Sequence, residues 1–390
     1  MRLYSKPGIF SWNRLDRAAG LILRALLKDG LPPGSRVLDL GCGNGAIGFG
    51  LLHLQPEIEL HLADASHAAC TAVSISKDRL GYPAQVWFSD VTADVLPDLQ
   101  FDVIVSNLPR GRALAEQFMR EAWERLAPEG RLYIAGAKEI GIRTRMATLE
   151  QWFGEVELAG IVPGHRAARL TRREGLHPPP SDYHQWRVLR FEARGRSWSY
   201  VTKPGVYSWR RTLDTGTRML VETMVVRPGE CLLDLGCGAG QVGLVGAHLA
   251  DGVSVVMVDD SLPAVRAAQR TVELNELQRA RVLPSDAASA VIGERFDVVA
   301  TNPPFHVGPG VEYDVAHQFI EDARDVLGPK GRLYLVCNTF IAYERQMQEM
   351  FRRVEEVHRD GSFKVLLGAR PVGRAKNRPK PPLVAPADGR

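Results

Sequence analysis

Cysteine is scarce and poorly spaced for chemistry: five residues in 390 (Cys42, Cys70, Cys231, Cys237, Cys337) contain no CxxC pair. That spacing excludes the usual zinc modules and a disulfide scaffold, so no metal is expected and the thiols read as reduced. Long apolar runs are missing too. None approaches the roughly 20 residues that span a bilayer, and the opening MRLYSKPGIFSW has no apolar signal core. A cytoplasmic chain without a membrane partner is the expectation. Neither charge sign dominates, since 49 Lys and Arg face 45 Asp and Glu for a net +4. Disorder is excluded for most of the chain by 45% apolar and 24% charged residues, which supply ample material for buried cores. At roughly 100 to 200 residues per domain, the length implies two of them.

The small positive surplus is uneven. Arg370, Arg374, Lys376, Arg378, Lys380 and Arg390 face only Asp388 at the carboxyl end. A second basic stretch, Arg166 to Arg196, sets eight arginines against Glu174, Asp182 and Glu192. Both stretches suit phosphates, and both equally suit a solvated linker and tail.

The chain repeats itself. SKPGIFSWNRLD (Ser5 to Asp16) returns as TKPGVYSWRRTLD (Thr202 to Asp214), and RVLDLGCGNGAIG (Arg36 to Gly48) returns as CLLDLGCGAGQVG (Cys231 to Gly243). Asp39 and Asp234 lie 195 residues apart, as do Asn107 and Asn302. Between the copies, EGLHPPPSDYHQW carries three prolines that forbid helix. The implied organisation is a first domain over 1–173, a Pro-rich basic linker over 174–187, a second domain over 188–369 and a basic disordered tail over 370–390.

Each copy alternates strand and helix. In the second, ECLLDL, VSVVMV, ARVLP, FDVVAT and GRLYLVC are short and β-branched, as buried parallel strands are. Between them LPAVRAAQRTVELNEL and YDVAHQFIEDARDVL repeat apolar residues at helical spacing. The fold class is therefore α/β, two tandem Rossmann-like domains, each a mostly parallel sheet flanked by helices. Asp360 and Gly361 separate two final strand-like runs, and Pro163 and Gly164 do so in the first copy, so each sheet is expected to end in an antiparallel hairpin.

DLGCGAG (Asp234 to Gly240) follows a strand and opens a helix, so its amides are placed to face an anion. Gly238, Gly240 and Gly243 also satisfy G-x-G-x-x-G, with Asp259 placed to hold a ribose. A nicotinamide-dependent oxidoreductase therefore has to be weighed. Against it stand the Asp-x-Gly before the fingerprint, the hairpin ending the sheet, and the NPPF (Asn302, Pro303, Pro304, Phe305) after the fourth strand.

Those three features together resemble the class I S-adenosylmethionine-dependent methyltransferases. The duplication, NPPFHVG and LVCNTFIAYE are similar to the tandem-domain guanine-N2 methyltransferases of small-subunit ribosomal RNA. The resemblance implies S-adenosylmethionine as cofactor and ribosomal RNA as partner, within or outside the small subunit. It places Asp234, Gly236, Cys237, Gly238 and Gly240 along the methionine part of the cofactor, Asp259 on the ribose hydroxyls and Asp286 on the adenine amine. Asn302 lies beside both cofactor and base. For each Asp, a helix cap or loop role is the plain alternative.

The chemistry of NPPF follows from its residue types. A nucleobase amine is a poor nucleophile because its lone pair is delocalised into the ring. The Asn302 side-chain oxygen and the Pro303 carbonyl can accept from that amine, hold it towards a sulfonium methyl and favour a pyramidal nitrogen. Prolines at 303 and 304 fix φ and present those oxygens rigidly, and Phe305 would stack on a flipped base for roughly 1 to 3 kcal/mol. His306 is a possible proton acceptor, more often a structural residue. In the first copy the motif is NLPR: Leu108 and Arg110 replace Pro and Phe, while Asp39, Gly41, Gly43, Gly45, Asp64 and Asp90 remain. A degenerate, non-catalytic first domain is expected. KPGVYSW (Lys203 to Trp209) reads as a lid with Tyr207 and Ser208 facing the cofactor, or as a packing segment. Remaining rivals are transfer to adenine N6, to a glutamine amide or to a large-subunit guanine, and a cofactor-binding RNA chaperone without turnover.

Overall fold

The computed structural model describes residues 1–210, 213–304 and 311–373, with backbone alone at 311–313. The chain divides into two compact units, one from Met1 to His184 and one beginning at Gln185.

The first unit opens with α1 (Arg17–Asp29), started by Asp16, whose carboxylate accepts from the Ala18 and Ala19 amides. There follow β1 (Arg36–Leu40), α2 (Ala46–Leu54), β2 (Glu59–Asp64), α3 (His67–Leu80), β3 (Ala84–Phe88), β4 (Phe101–Asn107), α4 (Arg112–Arg125), β5 (Leu126–Ala137), α5 (Ile142–Phe153), β6 (Glu157–Val162) and β7 (His165–Thr171). The strand order is β3-β2-β1-β4-β5-β7-β6. The first five strands are parallel and β7 is antiparallel to both its neighbours. Val37, Leu38, Asp39 and Leu40 are all buried, because helices cover both faces of the sheet.

The second unit begins with a hairpin the sequence reading did not anticipate, β8 (Arg187–Ala193) and β9 (Arg196–Thr202). Arg194 and Gly195 both take positive φ, 54° and 69°, the signature of a two-residue turn matched to strand twist. The Val201 amide ties this hairpin to a helix through Thr271 Oγ1 at 3.0 Å. The repeat then runs α6 (Thr215–Thr223), β10 (Cys231–Leu235), α7 (Gln241–Gly246), β11 (Ser254–Asp259), α8 (Leu262–Leu274), β12 (Ala280–Pro284), β13 (Phe296–Thr301), α9 (Val311–Val326), β14 (Leu327–Asn338), α10 (Glu344–Met350), β15 (Phe351–Arg359) and β16 (Phe363–Pro371). Its order, β12-β11-β10-β13-β14-β16-β15, copies the first sheet. Both terminal hairpins are where the sequence put them, over Glu157–Thr171 and Phe351–Pro371.

Two details differ from expectation for local reasons. Helix α8 stops at Leu274, three residues short of the apolar pattern, because Asn275 turns its side-chain amide back to the Ser199 and Thr271 carbonyls at 2.9 and 2.8 Å. Strand β16 continues to Pro371, past the boundary read at 369. In each sheet the direction of winding reverses between the first and fourth strands, β1 and β4 or β10 and β13. That switch point is where an open α/β sheet leaves a crevice for a ligand.

Candidate active site

In the second unit, β10 delivers its glycine loop to the crevice. Gly236 and Gly238 hold φ of +77° and +55°, a region that a side chain makes costly. The Gly236 and Cys237 amides both donate to the Val258 carbonyl at 2.9 Å, which clamps the loop onto the next strand. Among the described residues a Cβ on Gly238 would meet nothing within 4 Å, whereas one on Gly243 would run into the Met257 side chain, 2.9 Å from its Cγ. One face of the loop is therefore open to a ligand and its far end is packed shut.

Two carboxylates, Asp234 and Asp259, organise this loop, and a third, Asp286, stands at the end of the next strand. Asp234, 2% exposed, accepts the Gly243 amide at 2.8 Å, and burial, with some repulsion from Asp259, pushes its carboxyl up to about 7. Its role is that of a strut between β10 and the first turn of α7. Asp259, at the end of β11, accepts from Gly238 N at 2.8 Å and from Ser261 N at 2.9 Å. Burial raises it to about 6, against those two amides. Asp286 follows β12 and is partly exposed. The Cys237 thiol is buried and held well above its ordinary pKa by burial and by Asp259 and Asp234, so it is a neutral packing group in the loop.

Next to the loop, Leu235 lies opposite Thr301 in the paired strands β10 and β13, and Thr301 Oγ1 donates to the Leu235 carbonyl at 2.7 Å. Asn302 is thereby set beside Gly236. Its Nδ2 donates to Thr217 Oγ1 at 2.9 Å and to Asp214 Oδ1 at 3.3 Å. Its Oδ1 is buried and has no hydrogen-bond partner among the described residues. Pro303 is buried and Pro304 exposed. Phe305 and His306 lie outside the described residues, so the structure carries no account of the stacking or proton-accepting roles considered for them.

Asp214 and Thr217 went unnoticed as site residues in the sequence, although the signal was present. Asp214 closes the repeated segment TKPGVYSWRRTLD, as Asp16 closes its earlier copy. Within the same segment Tyr207 is 68% exposed and Phe10, its counterpart, 60%. Val206 and Ile9, one residue before them, are buried.

The first unit keeps the scaffold, with nearer neighbours around its loop and a more deeply buried aspartate after its third strand. Asp39 accepts from Gly48 N and Asp64 from Gly43 N, each at 2.8 Å, and Asn107 Nδ2 reaches Asp16 Oδ1 at 2.9 Å. Here, however, a Cβ on Gly43 would stand 3.9 Å from both Ile9 and the Phe10 carbonyl. Asp90, the counterpart of Asp286, is 2% exposed, with the Tyr183 hydroxyl on its carboxylate at 3.4 Å. Ser181 Oγ donates to Gln117 at 2.7 Å and His184 Nε2 meets Glu121 at 2.5 Å. The second half of the Pro-rich segment is thus part of this unit. Leu108 is buried where the second copy has Pro303.

Several arginines of the basic stretch are committed to their own folds. Arg169 pairs with Asp29 and Glu157, Arg172 donates to the Leu126 carbonyl, and Arg194 donates to those of Val221 and Met224. Among the described residues no helix is long and apolar enough to cross a membrane, and no cluster of His, Cys, Asp and Glu is arranged to hold a metal ion.

A switch-point glycine loop, a carboxylate closing the second strand and an Asn-Pro-Pro closing the fourth define a class I methyltransferase domain. The methyltransferase small domain family matches residues 1–166 and again 197–367. The chain belongs to this family, on the branch of the ribosomal RNA small subunit methyltransferase C proteins. The member from Aeromonas hydrophila is 31% identical over 274 residues, which cover 69% of this chain and 77% of that one. That of Vibrio cholerae is 27% identical over 76% of this chain and 87% of its own length. A solved T. thermophilus 16S rRNA N2 methyltransferase (RsmC), in complex with AdoMet and guanosine, superposes with a TM-score of 0.80. It is 30% identical and covers 95% of both chains.

Proposed function

We propose that this protein transfers a methyl group from S-adenosylmethionine to the exocyclic N2 amine of a guanine in small-subunit ribosomal RNA, in the cytoplasm, and that the second unit alone performs the chemistry. The observation that carries the reading is Asn302: a buried amide oxygen without a hydrogen-bond partner among the described residues, beside an open glycine loop. Leaving a buried acceptor unsatisfied costs about 1 to 3 kcal/mol, and a substrate amine removes that cost. The adenine N6 and carboxamide readings use the same acceptors. Against the carboxamide stand the relatives, which are named for ribosomal RNA of the small subunit, and against adenine N6 the solved relative, an N2 methyltransferase in complex with guanosine.

The residues present fit the cofactor. Gly236, Cys237, Gly238 and Gly240 form the open wall along its methionine part, with Asp234 as the strut beneath them. Asp259, ionised, accepts from the ribose hydroxyls with strong charge-assisted bonds, and Asp286 at the mouth meets the adenine amine. Bound cofactor supplies an activated methyl on a sulfonium centre. Asn302 Oδ1 and the Pro303 carbonyl accept the two amine hydrogens, which points the nitrogen lone pair out of the ring plane. The proline ring at 304 restricts the backbone that presents them. No strong base is required, because the methylated nitrogen is acidic and loses its proton afterwards. Phe305 remains the proposed stacking residue for the base.

Nucleosides from ribosomal RNA incubated with the protein and methyl-labelled cofactor, resolved by mass spectrometry, test this directly. N2-methylguanosine is expected. Asn302→Ala is expected to lower kcat by roughly 10²- to 10³-fold, the scale of losing one preorganised polar contact, and Asn107→Ala to leave it intact. Label on another base, or activity lost with Asn107→Ala and kept with Asn302→Ala, refutes the assignment.

A further inference from the structure

The repeated segment before each first strand ends in an aspartate whose position the chemistry so far leaves unused. Asp214 caps α6 by accepting the Thr217 amide at 3.0 Å, and the same oxygen receives Asn302 Nδ2 at 3.3 Å. Thr217, 8% exposed, supplies the second acceptor through Oγ1 at 2.9 Å. An ionised carboxylate accepts hydrogen bonds and donates none. The amide group that faces Asp214 must therefore be the NH2, and Oδ1 must face the other way. Without those partners an asparagine amide has two nearly equivalent orientations, and the flipped one would present hydrogens to a substrate that also brings hydrogens.

The first unit serves as an internal control. Asp16 still caps its helix and still holds Asn107 at 2.9 Å, yet the place of Thr217 is taken by Ala19. The second acceptor is lost in the copy that has also lost NPPF. Retention of the cap in both units marks Asp214 as partly structural, whereas the hydroxyl is particular to the unit that keeps the motif.

We propose that Thr217, with Asp214 behind it, is a positioning residue that fixes the Asn302 amide with its oxygen turned to the substrate amine; this rests on Asn302 being that acceptor. Thr217→Val keeps the shape and the amide that donates to Asp214, and removes only the hydroxyl. Thr217→Ala reproduces the first unit, and Thr217→Ser restores the hydroxyl.

The test uses the full chain with small-subunit ribosomal RNA and labelled S-adenosylmethionine, with thermal melting alongside. Val and Ala variants are expected to lose roughly 10- to 100-fold in kcat, the scale of a small misplacement of a reacting group. KM for both substrates and the melting temperature should hold, and the Ser variant should recover most of the rate. A Val or Ala variant with wild-type kcat overturns the proposal. So does a loss that tracks the melting temperature, or one that Ser does not recover. Asn302→Ala separates the two levels. If it stays active the acceptor reading itself fails, whereas an inactive Asn302→Ala beside a fully active Thr217→Val removes only the positioning role.

Discussion

Asp259 receives the Gly238 amide at 2.8 Å, so the acid at the end of β11 and the open glycine of the neighbouring loop form one unit. Two amides favour its ionised form and burial opposes it more strongly, leaving the carboxyl at about 6. Hydroxyl donors need the ionised form. Affinity for S-adenosylmethionine, measured by calorimetry, is therefore expected to be flat above about pH 7 and to weaken below about pH 6, by up to roughly tenfold per pH unit. Asp259→Asn should bind weakly with a flat profile. A dissociation constant for the unaltered protein that is constant from pH 5 to 8 removes Asp259 from the cofactor contact.

The strut beneath the loop makes a separate prediction about stability. Asp234 stands at about 7 when folded against an ordinary 3.8, raised chiefly by burial, and Asp39 behaves alike in the first unit. Between pH 4 and 7 the folded protein holds these protons and the unfolded chain has released them. Stability is therefore greatest at the acid end of that window and falls as pH rises through it, as far as these two groups decide. Asp234→Asn should flatten its share of this slope in denaturant titrations at pH 5 and 7. An unchanged slope denies that the carboxyl is protonated when folded.

Gly243 is tight where Gly238 is open. An added Cβ would run into the Met257 side chain, 2.9 Å from Cγ and 3.0 Å from the sulfur, in a core where Met257 is fully buried. Gly243→Ala should destabilise by about 1 to 3 kcal/mol, as overpacking does, and lower the melting temperature. Gly238→Ala, at a positive φ, also adds backbone strain, but should in addition weaken cofactor affinity, which Gly243→Ala should leave. Equal losses of cofactor affinity in the two variants contradict this division.

Tyr183 covers the carboxylate of Asp90 in the first unit, while Asp286 in the second is partly exposed. A calorimetric titration is expected to find one S-adenosylmethionine per chain. Asp259→Ala should abolish that single site and Asp64→Ala should leave it. Two equivalents, or binding lost with Asp64→Ala alone, would show that the first crevice is open.

Much of this was legible before any coordinate, for reasons of period and punctuation. The strand–helix alternation follows from strands too short and β-branched to be helices, and the terminal hairpins from Pro163-Gly164 and Asp360-Gly361 between apolar runs. The β8 and β9 hairpin escaped because its turn, Arg194-Gly195, carries the positive φ at an arginine, where no composition rule looks for it. Asp214 and Thr217 escaped for a different reason. Their partner Asn302 is 88 and 85 residues away, and only the register between β10 and β13 and the seat of α6 bring them together. Conversely, the arginines of the middle stretch looked ready for phosphate, and several instead bind carbonyls and carboxylates of their own unit. Charge density in a sequence does not record who is already paired.

Asn302→Asp offers the sharpest discrimination at the reacting end. The new carboxylate keeps an acceptor oxygen for the amine but faces Asp214 across the 3.3 Å now spanned by an N–H. Two carboxylates at that distance share one proton, since both cannot ionise without strong repulsion. Below the pH at which that proton is lost, a hydrogen bridge between the introduced carboxyl and Asp214 restores the original geometry and measurable transfer is expected. Above it, the side chains repel, the acceptor swings away and kcat falls. The variant's kcat should therefore decline with rising pH across a range where the unaltered protein holds steady, and Asp214→Asn in the same chain should remove the decline by taking away the second carboxylate. A variant whose rate keeps the unaltered protein's pH dependence would mean that Asp214 does not govern the orientation of the group at position 302.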